Sequence, residues 1–164
     1  MPTDALIRPF APQDLQRLHE IRTAAYTPVF KSFRDIVGPK IAAVALPNEE
    51  VQQGAFLDEL CKADAKHDVF VVEDAGEIVG FCSVAYDLDL KLGEIDLNAV
   101  HPDAQGKGLG VLMYEHALAL MRERGMRAAT VGTGGDESHA PARAAYQKAG
   151  FGPAIPNVYL YRML

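Results

Sequence analysis

The segment Gln105-Gly106-Lys107-Gly108-Leu109-Gly110 most constrains what this chain of 164 residues can fold into. It stands between a β-rich run, Glu94 to Val100, and an apolar stripe of Leu109, Leu112, Met113, Ala117, Leu120 and Met121 at helical spacing. A strand that feeds a helix through glycines leaves backbone N–H groups unpaired at the positive end of the helix dipole. That is an anion site suited to a pyrophosphate, and a Cβ there would hold the phosphate off the backbone. No GxxxxGK[ST] loop is present. The G-x-G-x-G spacing is not the dinucleotide fingerprint, and the strand before it does not open a βαβ half.

The rest of the chain frames this loop. Ala5 to Phe10 reads as a short strand. Pro12 opens a helix carrying Leu15, Leu18, Ile21 and Ala25. Residues 27–46 are less regular, interrupted by Pro28, Gly38 and Pro39, and Asn48 is the expected N-cap of the next helix. Val69 to Val72 and Ile78 to Ala85 flank the turn Asp74-Ala75-Gly76-Glu77 and predict an antiparallel hairpin. After the main helix, which Gly125 stops, Ala128 to Thr133 reads as a strand. Residues 134–140 form a loop, and Pro141 to Gly150 a short helix. Val158 to Leu164 is expected to close the chain as a strand. The order predicts α/β (α+β) architecture in one domain, residues 1–164: a mixed sheet with helices on its faces.

Composition narrows the function. The balance of 16 basic and 22 acidic residues, net −6, argues against a phosphate-tracking surface, so no nucleic-acid partner is expected. It suits an amine substrate. No apolar run approaches the roughly 20 residues of a membrane span. The start, Met1 to Leu6, has neither the basic region nor the apolar run of a signal peptide, so the protein is expected in the cytoplasm, off the membrane. Cys61 and Cys82 are too few for a disulfide framework and read as buried thiols. The five histidines form no close ligand pair with them, so no metal is expected.

The glycine segment resembles the acetyl-CoA signature [RQ]-x-x-G-x-[GA] of the GNAT superfamily of N-acetyltransferases, with Gln105, Gly108 and Gly110 at the matching positions. Val100-His101-Pro102 resembles the strand end that precedes the signature. Ala142 to Phe151 resembles the A-x-x-x-Y-x-x-x-G-F element that follows it, with Tyr146 as its tyrosine. The resemblance covers nearly the whole chain and is weakest over residues 27–66. It implies a mostly antiparallel central sheet, acetyl-CoA as co-substrate, and a small-molecule or peptide amine as acceptor; a homodimer stays open. His139 stands where the family often has an asparagine that contacts the cofactor.

Direct transfer of an acetyl group to an amine needs a base, an oxyanion donor and a proton for the thiolate. Strand alternation places Glu94, Asp96 and Asn98 on one face and Ile95, Leu97 and Ala99 on the other. Two carboxylates at i and i+2 repel, raising one pKa toward a base's range. The resemblance implies a glutamate base on this strand. Glu94 has a spacing that some members use, and Asp96 is the closer alternative. It assigns Tyr146 to the cofactor sulfur and a backbone N–H near Val100 to the oxyanion. Asn98, Ala99, Val100, Gln105, Gly106, Lys107, Gly108, Leu109, Gly110, His139, Arg143 and Tyr146 are the implied cofactor contacts, Lys107 and Arg143 through phosphate. Tyr26, Phe30 and Phe33 are candidates for the acceptor pocket, and His116 for a packed histidine. The other class of reading is a non-catalytic acyl-CoA-binding module.

Overall fold

A computed structural model describes residues 4–164. The first three residues of the start read as lacking a signal peptide lie outside them. Five strands form one sheet in sequence order: β1 (Leu6–Pro9), β2 (His67–Asp74), β3 (Glu77–Asp87), β4 (Leu92–Val100) and β5 (Ala128–Val131). Every neighbouring pair is antiparallel except β4 and β5, which are parallel. The expected hairpin is β2–β3. Its turn residues Ala75 and Gly76 both take positive φ, 53° and 84°, the backbone that a tight hairpin between right-twisted strands requires.

Helices α1 (Leu15–Val37), α2 (Pro39–Ala45) and α3 (Glu49–Leu60) precede the hairpin. Helices α4 (Leu109–Glu123) and α5 (Ala140–Lys148) follow β4 and β5. Two apolar cores result, one on each side of the sheet. Leu18, Ile21, Leu57, Leu60, Val71, Phe81, Leu97 and Ala99 pack beneath α1 and α3. Phe70, Val72, Cys82, Val84, Ile95, Leu109, Met113, Ala117 and Met121 pack beneath α4. A charged clamp ties the start of α1 to the sheet. Arg8 on β1 reaches Glu73 at 2.6 Å and Asp14 at 2.7 Å, and Asp14 also accepts the Ala11 N–H at 2.8 Å. The side-chain hydrogen bond from Arg8 holds the Asp14 carboxyl below its ordinary range. No helix among the described residues is long and apolar enough to cross a membrane.

Four expectations need correction. The first helix does not falter after Ala25: α1 runs through Pro28 to Val37. A mid-helix proline costs about 3 kcal/mol. Leu18 and Ile21 before it and Val29 and Phe30 after it are all buried, so packing on both sides holds the helix together. Cys61, expected to be buried, is only partly so at the C-terminal end of α3, whereas Asn48 stands at the N-cap of that helix as expected, without a side-chain capping bond. Val158 to Leu164 joins no strand: from Gly152 onward the chain is exposed coil.

The fourth correction moves the site. Cys82 pairs with Asn98 but Val84 with Ile95, so Asp96 and Leu97 of β4 face the single residue Ser83. This β-bulge breaks the strict alternation. Ile95 packs in the α4 core, whereas Leu97 and Ala99 pack in the α1 core. The polar set is divided in the same way. The carbonyl of Leu97 at the bulge accepts a 3.0 Å hydrogen bond from the fully buried Ser83 hydroxyl.

Candidate active site

Parallel pairing of β4 with β5 covers only Leu92 to Ile95, so the five residues from Asp96 to Val100 have no strand on that side. The His101 N–H bonds to the Val79 carbonyl at 2.7 Å. By the alternation of an antiparallel ladder, the polar groups of Asn98 and Val100 then turn away from β3 and into the gap. Side chains meet two of them. The Asn98 carbonyl accepts from the Tyr26 hydroxyl at 2.9 Å, and the Val100 carbonyl from Gln105 Nε2 at 3.0 Å.

Asn98 is the hub on the α4 side of the gap. Its Oδ1 accepts from the Tyr114 hydroxyl at 2.9 Å. Its Nδ2 donates to the Asp96 carbonyl at 2.9 Å and to the Tyr146 hydroxyl at 3.2 Å. The amide is thereby fixed in orientation. The Tyr146 oxygen receives a hydrogen bond, and among the described residues its own hydrogen has no acceptor. The Tyr114 and Tyr146 rings stack with centroids 4.4 Å apart, and Phe151 meets Tyr146 edge-on. Burial raises the Tyr146 hydroxyl above its ordinary value, although the adjacent Tyr114 hydroxyl and the Asn98 amide oppose this. The phenol is therefore protonated at neutral pH.

Asp96 sits at the bulge, half-buried, with His67 Nε2 3.8 Å from its carboxylate. Burial raises its pKa, partly offset by His67 and by the Leu97 N–H. The cause differs from the one expected, since repulsion by Glu94 plays no part in it. Glu94 is exposed, and pairs with Ala85.

The glycine loop lies where the sequence placed it. Gly106 and Gly108 both have φ of +79°, and a Cβ at either would meet nothing within 4 Å. Backbone conformation therefore demands glycine here, and the space in front of the loop is open. Gly108 is the N-cap of α4, so the first N–H groups of a helix of 15 residues face that space. Unpaired backbone donors, a dipole end and room for a ligand together fit a pyrophosphate. Gly110 has another duty, since its Cα side packs against Ala145 of α5. The side chains of Leu109 and Ala99 are buried in the cores, so only their backbones can meet a ligand.

The charged candidates are engaged elsewhere in this structure. Lys107 pairs with Asp74 at 3.0 Å. Arg143 donates to the carbonyls of Gly134 and Asp136 at 2.7 and 2.6 Å, closing the loop before α5. His139 Nδ1 lies 2.8 Å from Asp136 and its ring stacks on Phe33 at 5.7 Å. Asp136 also accepts from Ser32 of α1 at 2.6 Å. Burial opposes its ionisation, but bonds from Ser138, Ser32 and His139 outweigh that and lower its pKa. Of the acceptor candidates, Tyr26 reaches the gap and Phe30 packs beside it, with ring centroids 6.0 Å apart. An open cavity of about 460 Å³ between α1 and α3 is lined by His19, Arg22, Thr23, Thr27, Phe30 and Asp58 among others, and by no residue of β4, α4 or α5. His116 is packed edge-on against Phe70, with its pKa lowered by burial.

Sequence reasoning missed Tyr114, His67, Ser32 and Asp136. Tyr114 adjoins the stripe of α4 and was legible from its spacing to Gly110. The others depend on long-range packing.

Residues 16–151 match the family described as acetyltransferase (GNAT). A mycothiol acetyltransferase of Streptomyces bingchenggensis is 37% identical over 82 residues, half of this chain. The match spans about a quarter of that relative's length, 26%. Among solved structures, a GNAT family acetyltransferase from Brucella melitensis in complex with acetyl-CoA superposes with a TM-score of 0.61 at 23% identity, covering 94% of this chain and 92% of that one. The ribosomal-protein-S18-alanine N-acetyltransferase from Escherichia coli superposes at 0.64 with 20% identity, covering 92% and 79%. At these identities the likeness is one of fold.

Proposed function

The chain belongs to the GNAT acetyltransferase family, and on that premise we propose that it transfers an acetyl group from acetyl-CoA directly to a primary amine in a ternary complex. The observation that carries the reading is the Tyr146 hydroxyl, held by Asn98 beside the β4–β5 gap with its own hydrogen free. Acetyl-CoA supplies the activated thioester. The backbone N–H groups from Gly106 to Gly110 receive its pyrophosphate, with Gln105 fixing the strand end above them.

The bulge divides the chemistry between two sides of β4. Asp96 stands beside His67, and Asn98 faces Tyr114 and Tyr146. Asp96 takes the ammonium proton, directly or through water, freeing the nitrogen pair that attacks the carbonyl carbon. The Val100 N–H, turned into the gap, donates to the oxygen as it gains charge. Tyr146 gives its proton to sulfur as the C–S bond breaks, and the second proton, which the nitrogen sheds as it becomes an amide, returns through water to the tyrosinate. Glu94, on the rim, is the second candidate for the base. The acceptor approaches past Tyr26 and Phe30. No acyl-enzyme is needed: Cys82 is fully buried, and burial raises the Cys61 thiol to about 11. Two free thiols suit a reducing compartment, and we place the protein in the cytoplasm.

Thiol release from acetyl-CoA, measured against a panel of small amines, amino acids and peptides, tests this. Amine-dependent release is expected with at least one class. Tight acetyl-CoA binding without turnover on any amine would leave a non-catalytic binding module instead.

A further inference from the structure

Arg22 of α1 is only 8% exposed, yet among the described residues no carboxylate lies within 4 Å of it. Long contacts alone hold its guanidinium. Nη1 donates to the Glu50 carbonyl and to Gln53 Oε1, each at 3.3 Å, and Nη2 to Thr23 Oγ1 at 3.4 Å. The Nε–H is buried and meets no protein acceptor. Nearby carboxylates are engaged with other cations. Arg34 takes Glu49 at 3.4 Å and Glu50 at 3.5 Å, and His19 takes Asp58 at 2.8 Å. A buried guanidinium is costly unless an opposite charge and good acceptors meet it. The fold supplies neither.

The same guanidinium borders the open cavity of about 460 Å³ between α1 and α3. Gly54, in the middle of α3, lines that cavity too. A Cβ on Gly54 would stand 3.3 Å from Arg22 Nη2. Glycine weakens a helix interior, and here it leaves room for the close approach of the guanidinium. The volume is that of a small-molecule site, about 300–1,000 Å³. The cavity wall has two characters. Phe30, Val51 and Ala55 make an apolar side, and Thr23 and Thr27 stand with Arg22 on a polar one. Thr27 spends its hydroxyl hydrogen on the Thr23 carbonyl at 2.7 Å. The Thr23 hydroxyl accepts from Arg22 and, among the described residues, keeps its own hydrogen to give.

We propose that this cavity binds a small carboxylate with a compact apolar body, an aryl or branched aliphatic acid. A planar carboxylate matches the guanidinium fork and takes two of its N–H groups at once. The Thr23 hydroxyl donates a further hydrogen bond, and the apolar body lies against Phe30, Val51 and Ala55. Such a ligand brings the charge that Arg22 lacks. Inorganic phosphate brings charge but nothing for the apolar wall, so it is the weaker ligand. The chain's net charge of −6 repels anions at a distance, so affinity comes from these contacts alone. No residue of the glycine loop or of β4 lines the cavity, and the inference stands apart from the acetyl-transfer reading.

The test uses the full-length protein, with benzoate and isovalerate as probes. Benzamide serves as the uncharged counterpart of benzoate, and inorganic phosphate as the anion without an apolar body. Calorimetry is expected to show saturable one-to-one binding of at least one carboxylate. Benzamide and phosphate should each bind about tenfold more weakly or worse, the worth of a hydrogen bond to a charged group. Amide resonances of Thr23, Thr27 and Gly54 should shift on binding, and those of Gly106 to Gly110 should not, which separates this cavity from the glycine loop. Arg22→Met keeps the unbranched stem and removes the charge, and its affinity should fall by about tenfold or more. Should that variant fail to fold, Ala55→Trp decides. Ala55 is exposed on α3, so the indole fills the cavity while Arg22 stays in place. Binding should then be lost with little change in Tm. No saturable binding at millimolar concentration, equal affinity for benzamide or phosphate, shifts confined to the glycine loop, or full affinity in either folded variant would each overturn the site.

Discussion

The proposed reacting centre turns on single atoms, each held by named partners. Asn98 spends its amide oxygen on Tyr114 and its amide hydrogens on Asp96 and Tyr146, and the proposal gives the remaining hydrogen, that of Tyr146, to the departing sulfur. The two carboxylates are unequal. Burial has raised Asp96, while Glu94 is exposed. A base works only when deprotonated, so a raised pKa moves the acid limb of kcat/KM upward, above the value near 3.9 of an ordinary aspartate. Asp96→Asn is therefore expected to abolish that limb. It should lower turnover by about 10²–10⁴ at neutral pH and by less at high pH, where the amine deprotonates unaided. Glu94→Gln should leave the limb in place. pH–rate profiles of both variants check this, and the reverse pattern would assign the base to Glu94. The sequence pattern put both carboxylates on one strand, and both do lie on β4. Glu94 came first there on the spacing the family resemblance implies, and the one-residue bulge that re-aims Asp96 leaves no signature in the alternation of residue types.

Among the elements, those with a strong local period were the legible ones. The β2–β3 hairpin, α4 and the glycine loop all stand as their residue types dictate. Elements decided by distant packing were not: α1 continues through Pro28 because apolar residues on both sides of it are buried. The C-terminal run is β-rich by composition, yet it has no partner strand within the chain. For the glycine loop, φ of +79° and the open space at Gly108 separate conformation from occupancy. Asparagine tolerates that backbone better than other side-chain residues. Gly108→Asn is thus expected to fold, with a loss of thermal stability of a few degrees. Its acetyl-CoA affinity, read by calorimetry, should fall at least tenfold, because the side chain enters the space held for pyrophosphate. Unchanged affinity in the folded variant would remove the loop from the cofactor site.

At the scale of the whole molecule, two helix layers on opposite sides of one sheet give the site two approaches. β4 is the wall between them. Its bulge turns Asp96 toward one approach and Asn98 toward the other, and its short pairing with β5 opens the gap through which they meet. The central claim is that Tyr146 serves the departing sulfur across this gap. The most direct measurement takes kcat, acetyl-CoA affinity and Tm on one preparation of Tyr146→Phe, with any accepted amine. The ring and its stacking on Tyr114 remain in that variant, and only the hydroxyl is lost. The account predicts a kcat lower by roughly 10- to 150-fold, the worth of a hydrogen bond to developing charge of about 1.5–3 kcal/mol. Acetyl-CoA affinity should be nearly unchanged, and Tm should drop by a few degrees for the lost bond to Asn98. An unchanged kcat with only the loss in Tm would make Tyr146 a core residue and contradict the account.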